Sequence, residues 1–303
     1  MVLPWTGFEA PEEVRQAGAV TVTTLYTHGL AVRTGGRPLA AGGLALLLAG
    51  AAVLTGAGVL LAGAAVATVV AAALLGVLAT TPAAKFSRVV REVLLATLVA
   101  AGGAFGAWAY GADLSMARTG YLVIGFSLLG ALALVYRLGA GIHGLGRRGL
   151  IVIVGGVVLL TVTLAYTEAL GRWGSPGMIE TVEAALTRAE EVLGAVPRPL
   201  EVLLGFPALA WGVSTRARRR QGWWVTAFGA PGLAVVAASL LVPGADLAVV
   251  GMTVGYSLLL GLLLGYLIVR ADLFLTGARG RRARRLEELA AHRPEPGRLE
   301  PLL

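Results

Sequence analysis

The chain contains no cysteine among its 303 residues. It therefore has no disulfide framework, no thiolate ligand for a metal ion and no thiol nucleophile. Histidine is almost as scarce, because His28, His143 and His292 are the only three, and none has a partner at the spacing of a zinc site. No serine stands in a nucleophile elbow or an SxxK context. The sequence thus predicts no catalytic residue, no metal site and no cofactor.

Charged residues are also few. They make up 14% of the chain against 57% hydrophobic residues, and the mean hydropathy is +0.80. A soluble domain needs a more polar surface than this composition supplies, so we expect an integral membrane protein. The net charge of +8 does not indicate nucleic-acid binding, because the arginines are spread over many short connectors instead of one face.

Long apolar runs predict an all-α, polytopic transmembrane helical bundle with about eight spans. A helix needs about 20 apolar residues to cross the hydrocarbon core. The charge-free stretch 39–81 is long enough for two crossings, and we divide it at residues 55–58 into a helical hairpin. The predicted spans are 39–59, 60–81, 90–110, 119–137, 150–168, 200–215, 223–242 and 247–269.

The span 200–215 is the weakest of the eight, because apolar runs of 10 to 14 residues are often re-entrant or interfacial. If it crosses, Arg216 and residues 218–220 lie on the same side as the other basic clusters. The eight-span arrangement then places 21 Lys and Arg on one side and 4 on the other. By the positive-inside rule, we expect a multi-pass cell-membrane protein with both termini in the cytoplasm.

Three regions follow from these spans. Residues 1–38 are predicted to form a cytoplasmic or interfacial segment, in which 12–17 looks helical and 20–26 alternates like a strand. Residues 39–270 form the bundle, including an outer loop at 171–199. Residues 271–303 form a basic cytoplasmic tail, whose prolines predict disorder in the last ten residues.

Ionisable side chains are predicted to avoid the middle of the spans. Glu92, Glu168 and Glu201 fall near span ends, and Glu92 follows Arg88 by four residues, which predicts a local ion pair. An ionised group at mid-bilayer costs at least about 2.5 kcal/mol. The sequence therefore disfavours a proton-coupled mechanism.

The loop 139–149 carries a GxGxxG pattern followed by Arg147 and Arg148. A dinucleotide-binding turn would need a preceding strand, and here a predicted membrane helix precedes it. Contact of His143, Arg147 and Arg148 with a lipid phosphate remains a hypothesis, beside a plain reading as a positive-inside loop. The Arg-rich loops and tail also favour binding to an anionic inner leaflet.

The outer loop contains a predicted amphipathic helix at 177–194, capped by Ser175. Val182, Leu186 and Leu193 lie on its apolar stripe, and its polar face is mainly acidic, which is atypical of a helix that lies on anionic lipid. The stripe either covers the protein's own bundle or contacts a protein partner or second copy. The span 247–269, with two GxxxG spacings, is another candidate for close contact within or between chains.

Helix breakers in two predicted spans allow a different interpretation. Pro207 and Pro231 interrupt neighbouring spans, and broken membrane helices can line a substrate cavity, to which Glu168 is a further candidate. We expect a non-enzymatic membrane subunit or scaffold of the cell envelope. A permease for a neutral or lipidic substrate is the alternative, and a membrane enzyme that modifies lipid head groups through Glu168, Asp113 or the basic loops is weaker.

Overall fold

The computed structural model describes residues 11–114, 116–137, 146–173, 175–218, 222–276 and 295–302, and these residues contain helices and no strand. A π-helical turn, Glu201–Gly205, leads into α8, and a 3₁₀ turn, Ser239–Leu241, follows α10. The α-helices are α1 Glu12–Arg33, α2 Pro38–Thr55, α3 Gly58–Leu78, α4 Phe86–Ala109, α5 Met116–Val135, α6 Gly146–Trp173, α7 Pro176–Leu193, α8 Phe206–Arg216, α9 Gly222–Ala227, α10 Gly229–Ala237 and α11 Leu247–Thr276.

Among the described residues, five helical segments are long and apolar enough to cross a membrane, as expected of a membrane protein. They are α2, α3, α4, the segment Gly222–Leu241 and α11. The helical hairpin expected within residues 39–81 is present, because α2 ends at Thr55 and α3 begins at Gly58. Gly56 ends α2 with a φ of +62°, a left-handed conformation that suits glycine at a helix C-terminus.

The N-terminal region differs from its prediction, because α1 is one continuous helix of 22 residues through the stretch that alternates like a strand. The β-branched residues that produce the alternation are mainly threonines. The hydroxyls of Thr21, Thr23 and Thr24 each donate to the carbonyl oxygen four residues earlier, at 2.8–2.9 Å. Bonds of this kind let threonine sit within a helix without an unsatisfied hydroxyl.

Helix α1 lies against α4 in antiparallel orientation along most of its length. The Arg15 guanidinium is 5.9 Å from the centre of the Trp108 ring, near the C-terminus of α4. Half-way along, the Tyr26 hydroxyl donates to the Val99 carbonyl oxygen at 2.7 Å. At its other end, α1 finishes beside the end of α3, where Arg33 Nε donates to the Leu78 oxygen at 2.9 Å. We call the end of the bundle where α1 and α3 finish the tail end, because residues 295–302 pack there.

Helices α8, α10 and α11 pack at very short separation through glycine. A Cβ atom added to Gly232 would lie 2.6 Å from the Cα atom of Gly205, so the two backbones are in direct contact. Gly261 and Gly265 of α11 face α8 in a similar way. Gly251, in the other GxxxG pair, has open space around its Cα hydrogens. Of the two spacings, only the 261–265 pair therefore serves close packing within the chain.

The C-terminal residues also depart from their prediction. Residues 295–302, the tail segment, are not disordered but pack against the tail end of the bundle, and Leu302 contacts the main hydrophobic core. The Leu302 amide donates to the Arg33 carbonyl oxygen at 2.9 Å. The prolines Pro296 and Pro301 disfavour a helix in this segment, but hydrogen bonds to charged side chains of the bundle hold it in an ordered conformation.

Candidate functional site

The main-chain carbonyls at the end of α3 are bound by arginines from three separate parts of the chain. Arg33 of α1 donates to the Leu78 oxygen at 2.9 Å, and Arg298 of the tail segment donates to the Ala79 oxygen at 2.8 Å. Arg216, the last residue of α8, donates to the Thr80 carbonyl oxygen at 2.8 Å. The last carbonyls of a helix lack partners within it and carry partial negative charge. The three guanidinium groups supply both the missing donors and a compensating positive charge.

Glu92 lies beside these arginines, on the second turn of α4, and its side chain is fully buried. Its Oε2 accepts from the Thr81 amide at 2.8 Å, and its Oε1 accepts from Arg298 Nη2 at 2.6 Å and from Arg91 Nη2 at 3.0 Å. The ion pair predicted with Arg88 is therefore replaced by pairs with Arg91 and Arg298. Glu92 is a buried, fully hydrogen-bonded carboxylate of the kind that buried charge requires.

Arg216 is a cation of the site whose side chain is fully buried. Its guanidinium carbon lies 3.6 Å from the centre of the Trp223 ring, which adds a cation–π contact. Its Nη1 donates to the Thr80 hydroxyl at 2.7 Å. The Glu295 carboxylate of the tail segment accepts from both Nε and Nη2, which is the two-pronged geometry that arginine offers to a carboxylate.

The Arg33 side chain binds main-chain atoms of the tail segment. Its Nη1 donates to the carbonyl oxygens of Gly297 and Glu300, both at 2.6 Å. Its Nη2 is buried without a hydrogen-bond partner. We name the five side chains Arg33, Glu92, Arg216, Glu295 and Arg298 the tail-end cluster. It binds through paired charges and main-chain contacts, and none of the five is placed as a nucleophile.

A second buried carboxylate, Glu201, lies in the π-helical turn that leads into α8. Its side chain is fully buried, and Oε1 accepts from Arg198 Nη1 at 3.2 Å, whereas Oε2 has no hydrogen-bond partner. The Arg198 amide donates to the Ser257 hydroxyl at 2.9 Å. Ser257 is the eleventh residue of the 30 in α11, well inside that helix. Glu201 thus lies beside the interior of α11, while its position relative to the span ends stays a prediction. π-Helical turns and buried charges both favour functional positions.

The residues predicted for lipid phosphate contact and for the cavity are only partly described. His143 lies outside the described residues. Arg147 and Arg148 lie in the first turn of α6 and Glu168 near its end, but their side chains lie outside the described residues. Pro207 and Pro231 are buried on α8 and α10, next to the contact between Gly205 and Gly232. At this point the two helix breaks bring the backbones together, and a cavity at the prolines stays a prediction.

The predicted partner face lies on α7. Leu186 and Leu193 are half exposed, at 49% and 47%, and Val192 of the same helix is 77% exposed. The side chain of Val182 lies outside the described residues. The C-terminus of α7 is held to α11 by the Tyr256 hydroxyl, which donates to the Leu193 carbonyl oxygen at 3.0 Å. The apolar stripe itself remains uncovered at its described positions.

Among the cavities that open on the described surface, two are lined partly by α1. One, of about 610 Å³, lies at the opposite end from the tail segment and includes Arg15, Trp108 and Asp113. The other, of about 490 Å³, is a groove between α1, α2 and α3. Its lining is apolar apart from Thr23 and Thr27. The groove has the size of a small-molecule site and a lining that suits a hydrocarbon chain.

Sequence reasoning missed the tail-end cluster. Arg33, Glu92 and Arg216 lie at predicted span ends and have no common spacing, so only the fold brings them together. The one local signal is in the tail segment, where Glu295 and Arg298 are three residues apart among prolines. Comparison of the chain with protein-family models, with curated proteins and with solved structures finds no match.

Proposed function

We propose that this chain is a non-enzymatic, multi-pass membrane subunit or scaffold of the cell envelope, which contacts a protein partner or a second copy of itself through α7. The observation that carries the proposal is the exposure of Leu186, Val192 and Leu193 on α7. An apolar stripe that covered its own bundle would be buried by it. The tail-end cluster supports the same proposal, because its charged groups bind other segments of the same chain.

The acidic polar face of α7 points to a protein as the partner. Glu180, Glu190 and Glu191 are exposed on this helix, and Arg188 is the cation among them. Helices that rest on anionic lipid present lysine and arginine instead. Exposed apolar residues with a charged rim are typical of protein interfaces.

Cross-linking in native membranes tests this function, since the chain has no cysteine of its own. A single Leu186→Cys variant is expected to form a bifunctional-maleimide cross-link that migrates above the 31.0 kDa chain, at twice that mass for a second copy. Arg188→Cys, on the polar face of the same helix, is the matched control and is expected to stay monomeric. Equal cross-linking from both positions, or none from Leu186→Cys, would contradict the partner face.

A stability measurement separates the partner face from a structural cover. Replacing Val182, Leu186 and Leu193 with Ser is expected to leave the thermal unfolding temperature of the detergent-solubilised chain unchanged if the stripe is a partner face, because Leu186 and Leu193 are half exposed in the single chain. A large decrease in that temperature would show that the stripe covers the protein's own helices.

We further propose nine membrane crossings, with the N-terminus outside and the C-terminus in the cytoplasm, in place of the eight crossings expected from the sequence. Support comes from α1, which lies along α4 from Trp108 to the level of the tail end. Its 22 residues measure about 33 Å, enough for a hydrocarbon core of about 30 Å. Moving Arg15 outside leaves 20 basic residues inside and 5 outside, so the positive-inside rule still holds.

A permease for a lipidic substrate is the second candidate, and the groove between α1, α2 and α3 favours it. The cavity predicted at Pro207 and Pro231 has less support, because the backbones of Gly205 and Gly232 are in direct contact beside these prolines. Binding of a fluorescent fatty acyl probe tests the groove. Ala45→Trp, which fills the groove from a partly exposed position on α2, is expected to abolish the binding if the groove is a substrate site, and Leu122→Trp on the exposed face of α5 is the control.

A further inference from the structure

The tail segment is recognised by the bundle at several points along its length. Glu295 binds Arg216, the Gly297 and Glu300 carbonyl oxygens bind Arg33, and Arg298 binds Glu92. The Leu302 amide then binds the Arg33 carbonyl oxygen. Side chains and main chain therefore both contribute, as they do when a protein binds a peptide.

The segment carries its own turn. The Glu300 amide donates to the Gly297 carbonyl oxygen at 3.0 Å, and the Gly297 amide donates to the Glu300 carboxylate at 2.8 Å. These two bonds are internal to the segment and need no help from the bundle. A ligand that is organised before binding loses less conformational freedom when it binds.

The bundle presents charges complementary to the segment in order. Buried Arg216, backed by the Trp223 ring, faces the acidic residue, and buried Glu92 faces the basic residue three positions later. Arg33 Nη2 is buried and has no hydrogen-bond partner, so the site retains one unused donor. Charges of both signs, placed at fixed separation, select the direction and register of a bound segment.

We propose that the tail end is a peptide-binding site for a short, turn-containing segment with a glutamate and, three residues later, an arginine, and that residues 295–302 are its resident, exchangeable ligand. The partners of the segment come from α1, α4, α8 and the end of α3. They act through hydrogen bonds and ion pairs, beside the packing of Leu302 on the core. The same segment supplied as a separate molecule has the same groups to offer. Attachment to the chain raises only its effective concentration.

Cleavage of the intact protein tests the proposal without requiring a truncated chain to fold. A specific protease site is inserted between Ala290 and Ala291, and the full chain is purified in detergent and then cut. The fragment 291–303 is expected to co-elute with the bundle in size-exclusion chromatography. An excess of a fluorescently labelled synthetic peptide of the same sequence is expected to replace it, and fluorescence anisotropy then gives its dissociation constant.

Three variant peptides test whether the binding depends on the charges of Glu295 and Arg298. Glu295→Gln and Arg298→Gln peptides are each expected to bind at least about tenfold more weakly, because each loses a charge-assisted hydrogen bond to a buried partner. A Leu299→Ala peptide is the matched control, since Leu299 is 88% exposed, and is expected to bind within about twofold of the original.

Three results would overturn the proposal. The first is separation of the fragment from a bundle that keeps its helical circular dichroism and elution volume. The second is a fragment that stays bound but is not replaced by excess peptide within a day, which would make the segment a fixed structural strap. The third is equal affinity of the Glu295→Gln and Leu299→Ala peptides.

Discussion

Replacing Glu92 with Gln removes the one carboxylate that neutralises the tail-end cluster from within the bundle. The substitution preserves the shape of the side chain and leaves an oxygen for the Thr81 amide. It removes the negative charge that faces Arg298 Nη2 at 2.6 Å and Arg91 Nη2 at 3.0 Å. The amide nitrogen of Gln, if it takes the place of Oε1, would direct hydrogens at the guanidinium groups.

The cost is set by how far the partners are buried. Removing one member of a buried ion pair costs about 3–5 kcal/mol. Glu92 is fully buried, but the side chains of Arg298 and Arg91 are 31% and 61% exposed, so water partly compensates both. We therefore expect the lower end of the range, about 3 kcal/mol, which lowers the ratio of folded to unfolded protein roughly a hundredfold.

Unfolding by SDS in mixed micelles, followed by circular dichroism and tryptophan fluorescence, measures this change. Exposed Glu13→Gln is the matched control and is expected to change the unfolding free energy by less than about 0.5 kcal/mol. In a double-mutant cycle, Arg298→Gln should cost less in the Glu92→Gln background than in the original chain. A cost below about 1 kcal/mol for Glu92→Gln, or additive effects in the cycle, would refute the ionic coupling between the bundle and the tail segment.

The remaining predictions concern the crossings and the helix contacts. In the nine-crossing arrangement, a Cys introduced at Glu13 is expected to react from outside with a membrane-impermeant maleimide. A Cys at Ala57 is the reactive control, and a Cys at Arg37 is the unreactive control. Protection of the Glu13 position in intact cells would support eight crossings instead. Gly232→Ala is expected to cost at least about 1–3 kcal/mol, because its methyl group meets the Gly205 backbone, whereas Gly251→Ala, in open space, is expected to be neutral. Similar unfolding free energies for the two alanine variants would contradict the close crossing of α8 and α10.

The helices of the bundle are largely predictable because apolar runs and glycine breaks act locally. The predicted hairpin division at 55–58 matches the ends of α2 and α3 within a few residues, since Gly56 takes a conformation that few other residues adopt. Helix α1 was not predictable in the same way. Its threonines lower the mean hydropathy and imitate the alternation of a strand, and their hydroxyl bonds to the helix backbone leave no mark in the sequence.

The tail-end cluster was not predictable because its contacts join distant parts of the chain. Arg298 meets Glu92 over 206 positions, and Glu295 meets Arg216 over 79. A local reading pairs Glu92 with Arg88 and assigns the proline-containing end to solvent, and both inferences are reasonable for a single helix or an isolated tail. Only the three-dimensional arrangement at the end of α3 creates a need for donors and charges that the tail segment then meets.

Helix α8 has 11 residues, about half the number that a membrane crossing needs, and this explains why 200–215 was the least secure of the predicted spans. The π-helical turn and α8 together contain 16 residues and extend about 24 Å, less than a hydrocarbon core of about 30 Å. In a crossing, the rest of the thickness must be filled by residues 199–200, which extend the helix, and by the irregular chain before them. Irregular backbone persists at membrane depth only where protein surrounds it. Helix α11 meets this requirement, since Ser257 accepts from the Arg198 amide and Tyr256 donates to the Leu193 carbonyl oxygen. If the short apolar run crosses, it does so as a helix completed by an irregular segment, whose main chain is hydrogen-bonded by hydroxyl groups of α11 in place of the missing helical turns.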